Sequence, residues 1–332
     1  MKIYITMPAN PQTDTFLTPK ALDVLNSLGE VFINPHNRQL TVEEVVEWAH
    51  DADVLITCWG TCKYTKADVE KMPNLKLIAH TGGTLLPVVE QDVFETNVQA
   101  ISGNNVFAKS VAEGALCYIL DALRRIEFFS NEVREGRWRT AEFQNRGLIG
   151  KTVGIVGFGT IAQYFAELIR WFDCDVLIYS SHLSNEDAAK YGARTASLEE
   201  IFSTCDVISI HASNNPKTRG MVTRELLESM KQDALIVNTA RGPIVDEEAM
   251  FEQLLSGRIC GALDVFCEEP LPVDHPIRQC KNVLLLPHMG GPTIDMRENV
   301  TLDLCKEIKR LKNGEPLAHA FTAEAVKRMT PG

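Results

Sequence analysis

The stretch Thr152–Ala162, TVGIVGFGTIA, constrains this chain more than any other. Val153, Ile155 and Val156 form a short apolar run of strand character, and Gly157, Gly159 and Ala162 punctuate a turn. Ile161, Phe165, Leu168 and Ile169 then recur at the spacing of one helix face. A strand passing through G-x-G-x-x-G/A into a helix is the arrangement that receives a dinucleotide. The first glycine permits the tight turn, and the second lets the backbone approach a pyrophosphate. The helix start offers unpaired N–H groups to its negative charge. On this reading Gly157, Phe158, Gly159, Thr160 and Ile161 contact the cofactor.

A length of 332 residues suggests two domains, each large enough for its own core. The net charge of −11 argues against a nucleic-acid surface, which would need clustered excess Lys and Arg. Arg124, Arg125, Arg134, Arg137 and Arg139 do form a local basic run. They alternate with Glu127, Glu132 and Glu135, as on a solvated helix face. No apolar run approaches the roughly 18 residues that span a bilayer, and MKIYITMP begins a strand without a signal-peptide apolar region. A cytoplasmic protein without a membrane partner is expected. The nine cysteines are scattered, and Cys58 and Cys62 lack the second pair that would complete a zinc site. Free thiols and no metal are the expectation.

Up to about residue 100, strands at Lys2–Met7, Val31–Asn34, Asp53–Cys58, Leu75–His80 and Val98–Ile101 alternate with helices, implying a mainly parallel sheet. Thr41 with Glu44 three residues on reads as a capping box. Loops at the carboxyl ends of parallel strands are where ligands sit. Two candidates are Trp59–Thr61 and His80–Thr84, the latter reading HTGGT. Gly82 and Gly83 either present backbone N–H groups to an anion or simply turn the chain. Trp59 is either an apolar wall of a pocket or a core residue.

One long helix is expected from Asn105 to Ser130, with Val106, Val111, Ala115, Ile119 and Leu123 on its apolar stripe, long enough to run between domains. In Glu135–Arg146, Trp138 and Phe143 are isolated apolar residues that pack on another subunit, another domain or their own chain. From Lys151 a second α/β series begins, with six strands at Val153–Val156, Val176–Tyr179, Val207–His211, Ala234–Asn238, Gly261–Val265 and Val283–Leu286. This is a doubly wound pattern. A helix at Ile294–Lys312 stops at Asn313-Gly314, and the short tail is expected to fold back onto the first domain.

Polar groups stand just beyond the last three strands: Arg241 in TARG, Glu269 in FCEEP, and His288 before Gly290-Gly291. In a doubly wound sheet these ends face one crevice beside the fingerprint helix. Each type suits one job in hydride transfer to a carbonyl. A histidine delivers the proton to oxygen, and a neighbouring carboxylate stabilises its imidazolium form. An arginine presents a permanent charge in fork geometry to a substrate carboxylate. Asp264 is flanked by Ala262, Leu263 and Val265, so its carboxylate needs a partner, either the nicotinamide carboxamide or a backbone cap. His211 either lines the cofactor cleft or caps the sheet.

These segments make the chain resemble, over nearly all its length, the D-isomer-specific 2-hydroxyacid dehydrogenases. The matching stretches are LKLIAHTGGT, NNVFAKSVAE, TVGIVGFGTIA, VISIHA, LIVNTARGPIVDEEA, GALDVFCEEPLP and NVLLLPHMGGPT. The resemblance implies two doubly wound α/β domains, a Rossmann-type cofactor domain at 104–292 inserted into a flavodoxin-like substrate domain at 1–103 and 293–332. It implies Arg241 as substrate anchor, His288 as acid/base, and Glu269 as the carboxylate that tunes His288. It puts Gly83 and Thr84 on the substrate carboxylate, with Trp59 and His80 nearby. Asp264 falls on the nicotinamide-binding position, and His211, Ala212, Thr239, Ala240 and Gly290 fall in the cofactor cleft. It also implies a 2-oxo or 2-hydroxy acid substrate and a homodimer formed through the cofactor domain. Glutamate rather than glutamine beside the histidine favours hydroxy acids over formate.

Two departures from the family pattern leave choices open. The substrate loop reads GGTLLP where GVG and a nearby Asp are usual, so the acid is not identified. The second cofactor-domain strand ends in Tyr179-Ser180-Ser181-His182, without the acid that would bond a ribose 2′-OH or the Arg that would take a 2′-phosphate. NAD is slightly favoured, with NADP close behind and a preference within about tenfold. A cofactor-sensing binding protein, as in the related transcriptional corepressors, is the alternative function. The absence of long disordered flanks weighs against it.

Overall fold

The computed structural model describes residues 1–138, 145–327 and 329. Arg139 and Phe143 lie outside them. The chain divides into two compact units, Met1–Phe107 with Pro292–Gly332, and Ala108–Gly291.

The first unit holds five parallel strands: β1 (Lys2–Ile5), β2 (Glu30–Ile33), β3 (Val54–Thr57), β4 (Leu77–His80) and β5 (Gln99–Ser102). Their order is β2-β1-β3-β4-β5, the flavodoxin-type arrangement. β3 and β4 are buried along their whole length, because helices cover both faces of the sheet. On one face Ile3, Ile5, Phe16 and Leu25 pack with Val300, Leu304 and Ile308 of the helix Ile294–Lys312. On the other, Tyr4, Leu55, Ile78 and Tyr64 pack with Val326. The tail does return to this unit: Phe321 donates its amide to the Ala100 carbonyl at 3.0 Å, and Val326 is fully buried. The Thr41–Glu44 capping box forms as its spacing suggests, starting the helix Val42–Trp48.

The second unit holds seven parallel strands: β6 (Thr152–Val156), β7 (Asp175–Tyr179), β8 (Ala193–Thr195), β9 (Val207–Ile210), β10 (Leu235–Asn238), β11 (Cys260–Leu263) and β12 (Val283–Leu285). Their order is β12-β11-β10-β9-β6-β7-β8, a Rossmann-type sheet whose strand order reverses between β6 and β9. Six of these strands were expected. β8 was not, because its three residues are only half-buried or exposed and carry no apolar run.

The single helix expected over Asn105–Ser130 is two helices, Asn104–Arg124 and Ile126–Arg134. Arg125 breaks it in the left-handed region at φ 55°. Asp121 Oδ1 then accepts the amides of Ile126 and Glu127 at 3.1 and 3.3 Å, starting the second segment. The second helix buries none of its residues, and the nearby Arg137 pairs with Glu132 and Glu135. All nine cysteines are free thiols. Among the described residues no helix is long and apolar enough to cross a membrane, and no group of three or more His, Cys, Asp or Glu is arranged to hold a metal ion.

Candidate active site

The fingerprint turn joins β6 to the helix Thr160–Ile169. Gly157 adopts φ 94°, and a Cβ there would stand 2.6 Å from the Ala212 backbone, so both conformation and space demand glycine. Gly159 caps the helix, and a Cβ added to it would meet nothing within 4 Å. The first bond closing the helix runs from Gln163 N to Gly159 O at 3.1 Å. Among the described residues no protein group accepts from the amides of Thr160, Ile161 or Ala162. At the end of β10 the Thr239 hydroxyl is buried without a partner. An open cradle of unpaired amides and an orphaned buried hydroxyl fit a dinucleotide diphosphate and its neighbouring ribose.

Beyond β7, Ser180 Oγ accepts the His182 amide at 3.3 Å, and Ser181 and His182 are exposed. His211, just after β9, is buried. Its Nε2 lies 2.8 Å from Ser209 Oγ and its ring 4.9 Å from that of Phe165. Burial pushes its pKa down to about 3, so the ring is neutral.

The ends of β10, β11 and β12 carry the polar set. Arg241 is placed by Asn238, whose amide group donates to the Arg241 carbonyl at 3.1 Å and whose Oδ1 accepts the Ala240 amide at 3.0 Å. No sequence signal beyond an Asn at a strand end marked that role. Arg241 Nη1 donates to the Ala240 carbonyl at 2.7 Å, and among the described residues no carboxylate forms an ion pair with the guanidinium. Burial lowers its pKa from the ordinary value, opposed by the Glu269 carboxylate.

Glu269 is held at both oxygens. Oε1 accepts the Phe266 amide at 2.9 Å, and Oε2 accepts His288 Nδ1–H at 2.7 Å. With Nδ1 engaged, His288 Nε2 has no protein partner among the described residues, and the ring is exposed. His288 itself sits at φ 54°. Asp264, 1% exposed, accepts the amides of Met289 and Gly290 with its two oxygens, each at 2.7 Å. Both carboxylate oxygens thus have backbone partners. Burial raises its pKa, the two amides and His288 lower it, and Glu269 raises it.

In the first unit, His80 ends β4 fully buried, with Nδ1 2.8 Å from Thr57 Oγ1. Burial lowers its pKa to about 4. Its ring supports the HTGGT loop from below: a Cβ on Gly82 would strike that ring at Cδ2, 2.8 Å away, and approach Trp59 Nε1 to 3.2 Å. Trp59 is 41% exposed and stands edge-on to Phe16 and Phe107, with ring centroids 5.5 and 5.7 Å away. It is thus partly core and partly open surface. The Gly83 carbonyl accepts the Ser102 hydroxyl at 3.1 Å, and among the described residues no protein group accepts from the Gly83 amide. Thr84 Oγ1 accepts the Leu86 amide at 3.4 Å.

Comparison with known proteins bears on this arrangement. The family model described as D-isomer specific 2-hydroxyacid dehydrogenase, NAD binding domain, matches residues 116–290. The chain is 32% identical over 317 residues to D-3-phosphoglycerate dehydrogenase of Methanocaldococcus jannaschii, across 95% of this chain and 58% of that protein. It is 32% identical over 276 residues to hydroxypyruvate reductase of Thermotoga maritima, across 82% of this chain and 89% of that one. The chain thus spans 58–60% of the length of the archaeal phosphoglycerate dehydrogenases it matches. A phosphoglycerate oxidoreductase from Rhizobium etli shares the fold at a TM-score of 0.81 and 24% identity, covering 97% of this chain and 98% of that one. The chain belongs to the D-isomer specific 2-hydroxyacid dehydrogenases, with residues 116–290 as its NAD-binding domain.

Proposed function

We propose that the protein interconverts a 2-oxo acid and its D-2-hydroxy acid, and that Ala108–Gly291 is the cofactor domain and the other unit the substrate domain. The observation that carries this reading is the His288 Nδ1–Glu269 Oε2 bond of 2.7 Å, which leaves Nε2 without a protein partner among the described residues, while the Arg241 cation feels the charge of the same Glu269. The bound nicotinamide supplies or accepts the hydride. Gly157, Gly159, the first amides of the following helix and Thr239 hold the dinucleotide. Arg241 grips the substrate carboxylate through its free guanidinium edge. As the carbonyl carbon gains hydride, His288 Nε2 gives its proton to the oxygen, so the C=O becomes C–H and O–H and the imidazole is left neutral. Glu269 keeps the ring oriented and stabilises it while charged. Asp264 holds the loop that sets the His288 backbone.

A homodimer formed through the cofactor domain is part of this proposal. The helix Ile126–Arg134 buries no residue, and Trp138 and Trp171 of the same unit are 76% and 89% exposed. Sedimentation of the native protein tests it, and a monomer at micromolar concentration removes it. The activity itself is tested with a panel of 2-oxo acids, NADH and NADPH, using wild type and His288→Ala. Turnover of at least one acid that the variant loses supports the enzyme. No turnover of any acid replaces it with the cofactor-sensing reading, and an equally active variant removes His288 as the acid/base.

A further inference from the structure

The turn that follows β11 carries two neighbouring amides, and each is held by a different carboxylate. The Phe266 amide donates to Glu269 Oε1 at 2.9 Å, and the Cys267 amide donates to Glu247 Oε1 at 2.8 Å. Glu269 gives its other oxygen to His288. Glu247 comes from elsewhere in the chain, 20 residues before Cys267, where it opens the helix Glu247–Leu255. Asp246 is the N-cap of that helix, and its side chain accepts the Ala249 amide at 3.0 Å. The capping role is therefore filled, and the Glu247 carboxylate is left to reach across to the turn.

Gly242, the residue after Arg241, backs the same turn. A Cβ there would stand 2.2 Å from the Phe266 carbonyl carbon and 2.4 Å from the Cys267 nitrogen. The Phe266 side chain is buried in the core cluster that holds Ile244 and Ala249. Cys267 is exposed, so Glu247 grips the turn on its open side. Partial desolvation and the Glu247 carboxylate push the Cys267 thiol up to about 11, so it stays protonated and donates to that carboxylate as well. The two amides flank the Phe266 α-carbon, with only the φ and ψ of that residue between them. Releasing the Cys267 amide therefore loosens the Phe266 amide, which is the group that orients Glu269.

We propose that Glu247 is a positioning residue for the reaction. By holding the Cys267 amide it fixes the Phe266 amide, and through it the Glu269 carboxylate and the His288 ring. The inference rests on the dehydrogenase reading of Glu269 and His288 and deepens it.

Residue-resolved amide exchange and steady-state kinetics of the whole protein test it together. In Glu247→Ala the Phe266 amide should exchange about tenfold faster, the worth of one bond to a charged acceptor. The Met289 and Gly290 amides, held by Asp264, should keep their protection and serve as the internal control. The same variant should lower kcat about tenfold, with KM for the acid and NADH affinity within about twofold. Glu247→Gln retains an acceptor for the Cys267 amide and should recover kcat to within about threefold of wild type. In a Glu269→Ala background Glu247→Ala should cost less than about twofold, because no side chain is left for the turn to orient. A thermal melt of each variant checks that folding is kept. The proposal is overturned if Phe266 keeps its native protection, or if Phe266, Met289 and Gly290 lose protection alike. A kcat loss undiminished in the Glu269→Ala background overturns it too. Absence of turnover by wild type on every 2-oxo acid overturns the dehydrogenase reading instead, and the exchange contrast still decides whether Glu247 holds the turn.

Discussion

The Asp264 carboxylate and the Gly290 amide are joined at 2.7 Å, and the other carboxylate oxygen holds Met289 at the same distance. This grip starts one residue beyond His288, whose backbone is left-handed at φ 54°. The loop would relax without it, because a non-glycine residue in that region costs about 1 kcal/mol or more. Asp264→Asn keeps one acceptor and turns an N–H toward the other amide. It should cost about 1–3 kcal/mol of stability and lower kcat more than it raises KM. Gly290→Ala should act similarly, since its Cβ would stand 2.8 Å from Asp264 Oδ2. Steady-state kinetics beside urea unfolding check both, and an unchanged kcat in either variant removes the positioning role.

Gly157→Ala should lose dinucleotide binding more completely than Gly159→Ala. The first position combines φ 94° with a Cβ 2.6 Å from the Ala212 backbone, which has no flexible end to move aside. The second has open space, and there the added methyl meets only the bound cofactor. Stability should fall by about 1–3 kcal/mol at Gly157 and by little at Gly159. Unfolding curves and NADH titrations of the two variants check the contrast, which fails if both unfold alike.

The dinucleotide turn, the strand-end positions of Arg241, Glu269 and His288, and both doubly wound sheets were legible because buried parallel strands write themselves as short apolar runs ending in polar residues. The break at Arg125 was not, since helical apolar spacing continues through Ile126, Phe129 and Val133 and nothing local forbids a helix there. β8 was missed because an edge strand of three part-exposed residues carries no apolar signature. The amides that Asp264 accepts lie 25 and 26 residues away, a separation from which the sequence alone does not name them.

His80 should make the first unit acid-sensitive. Burial holds its pKa at about 4 in the folded chain, below the ordinary value of 6.5. The unfolded chain therefore takes up the proton first, so stability is full above pH 6.5 and is lost as pH falls through the interval to about 4. The total is about 3 kcal/mol, with about 2 kcal/mol gone by pH 5. His211 adds a second loss of the same sign, so the comparison needs a variant. His80→Asn, which retains an acceptor toward Thr57, should flatten this pH dependence by His80's share. Urea unfolding at pH 7 and pH 5 measures it, and identical slopes for variant and wild type contradict the assignment.

The His288–Glu269 pair should behave as one unit in the kinetics. His288→Ala removes the proton donor and should lower kcat by about 10²–10⁴-fold, the usual worth of general acid catalysis. Glu269→Gln leaves a single oxygen to serve both the Phe266 amide and the His288 Nδ1–H, which the native carboxylate serves with two. It should cost about ten- to a hundredfold in kcat, the value of a charge-assisted bond. In the His288→Ala background the same substitution should cost almost nothing, because the imidazole it orients is gone. NADH affinity should be unchanged throughout, since neither side chain is assigned to the dinucleotide. Additive losses in the double variant would separate the two residues and leave Glu269 with a role of its own.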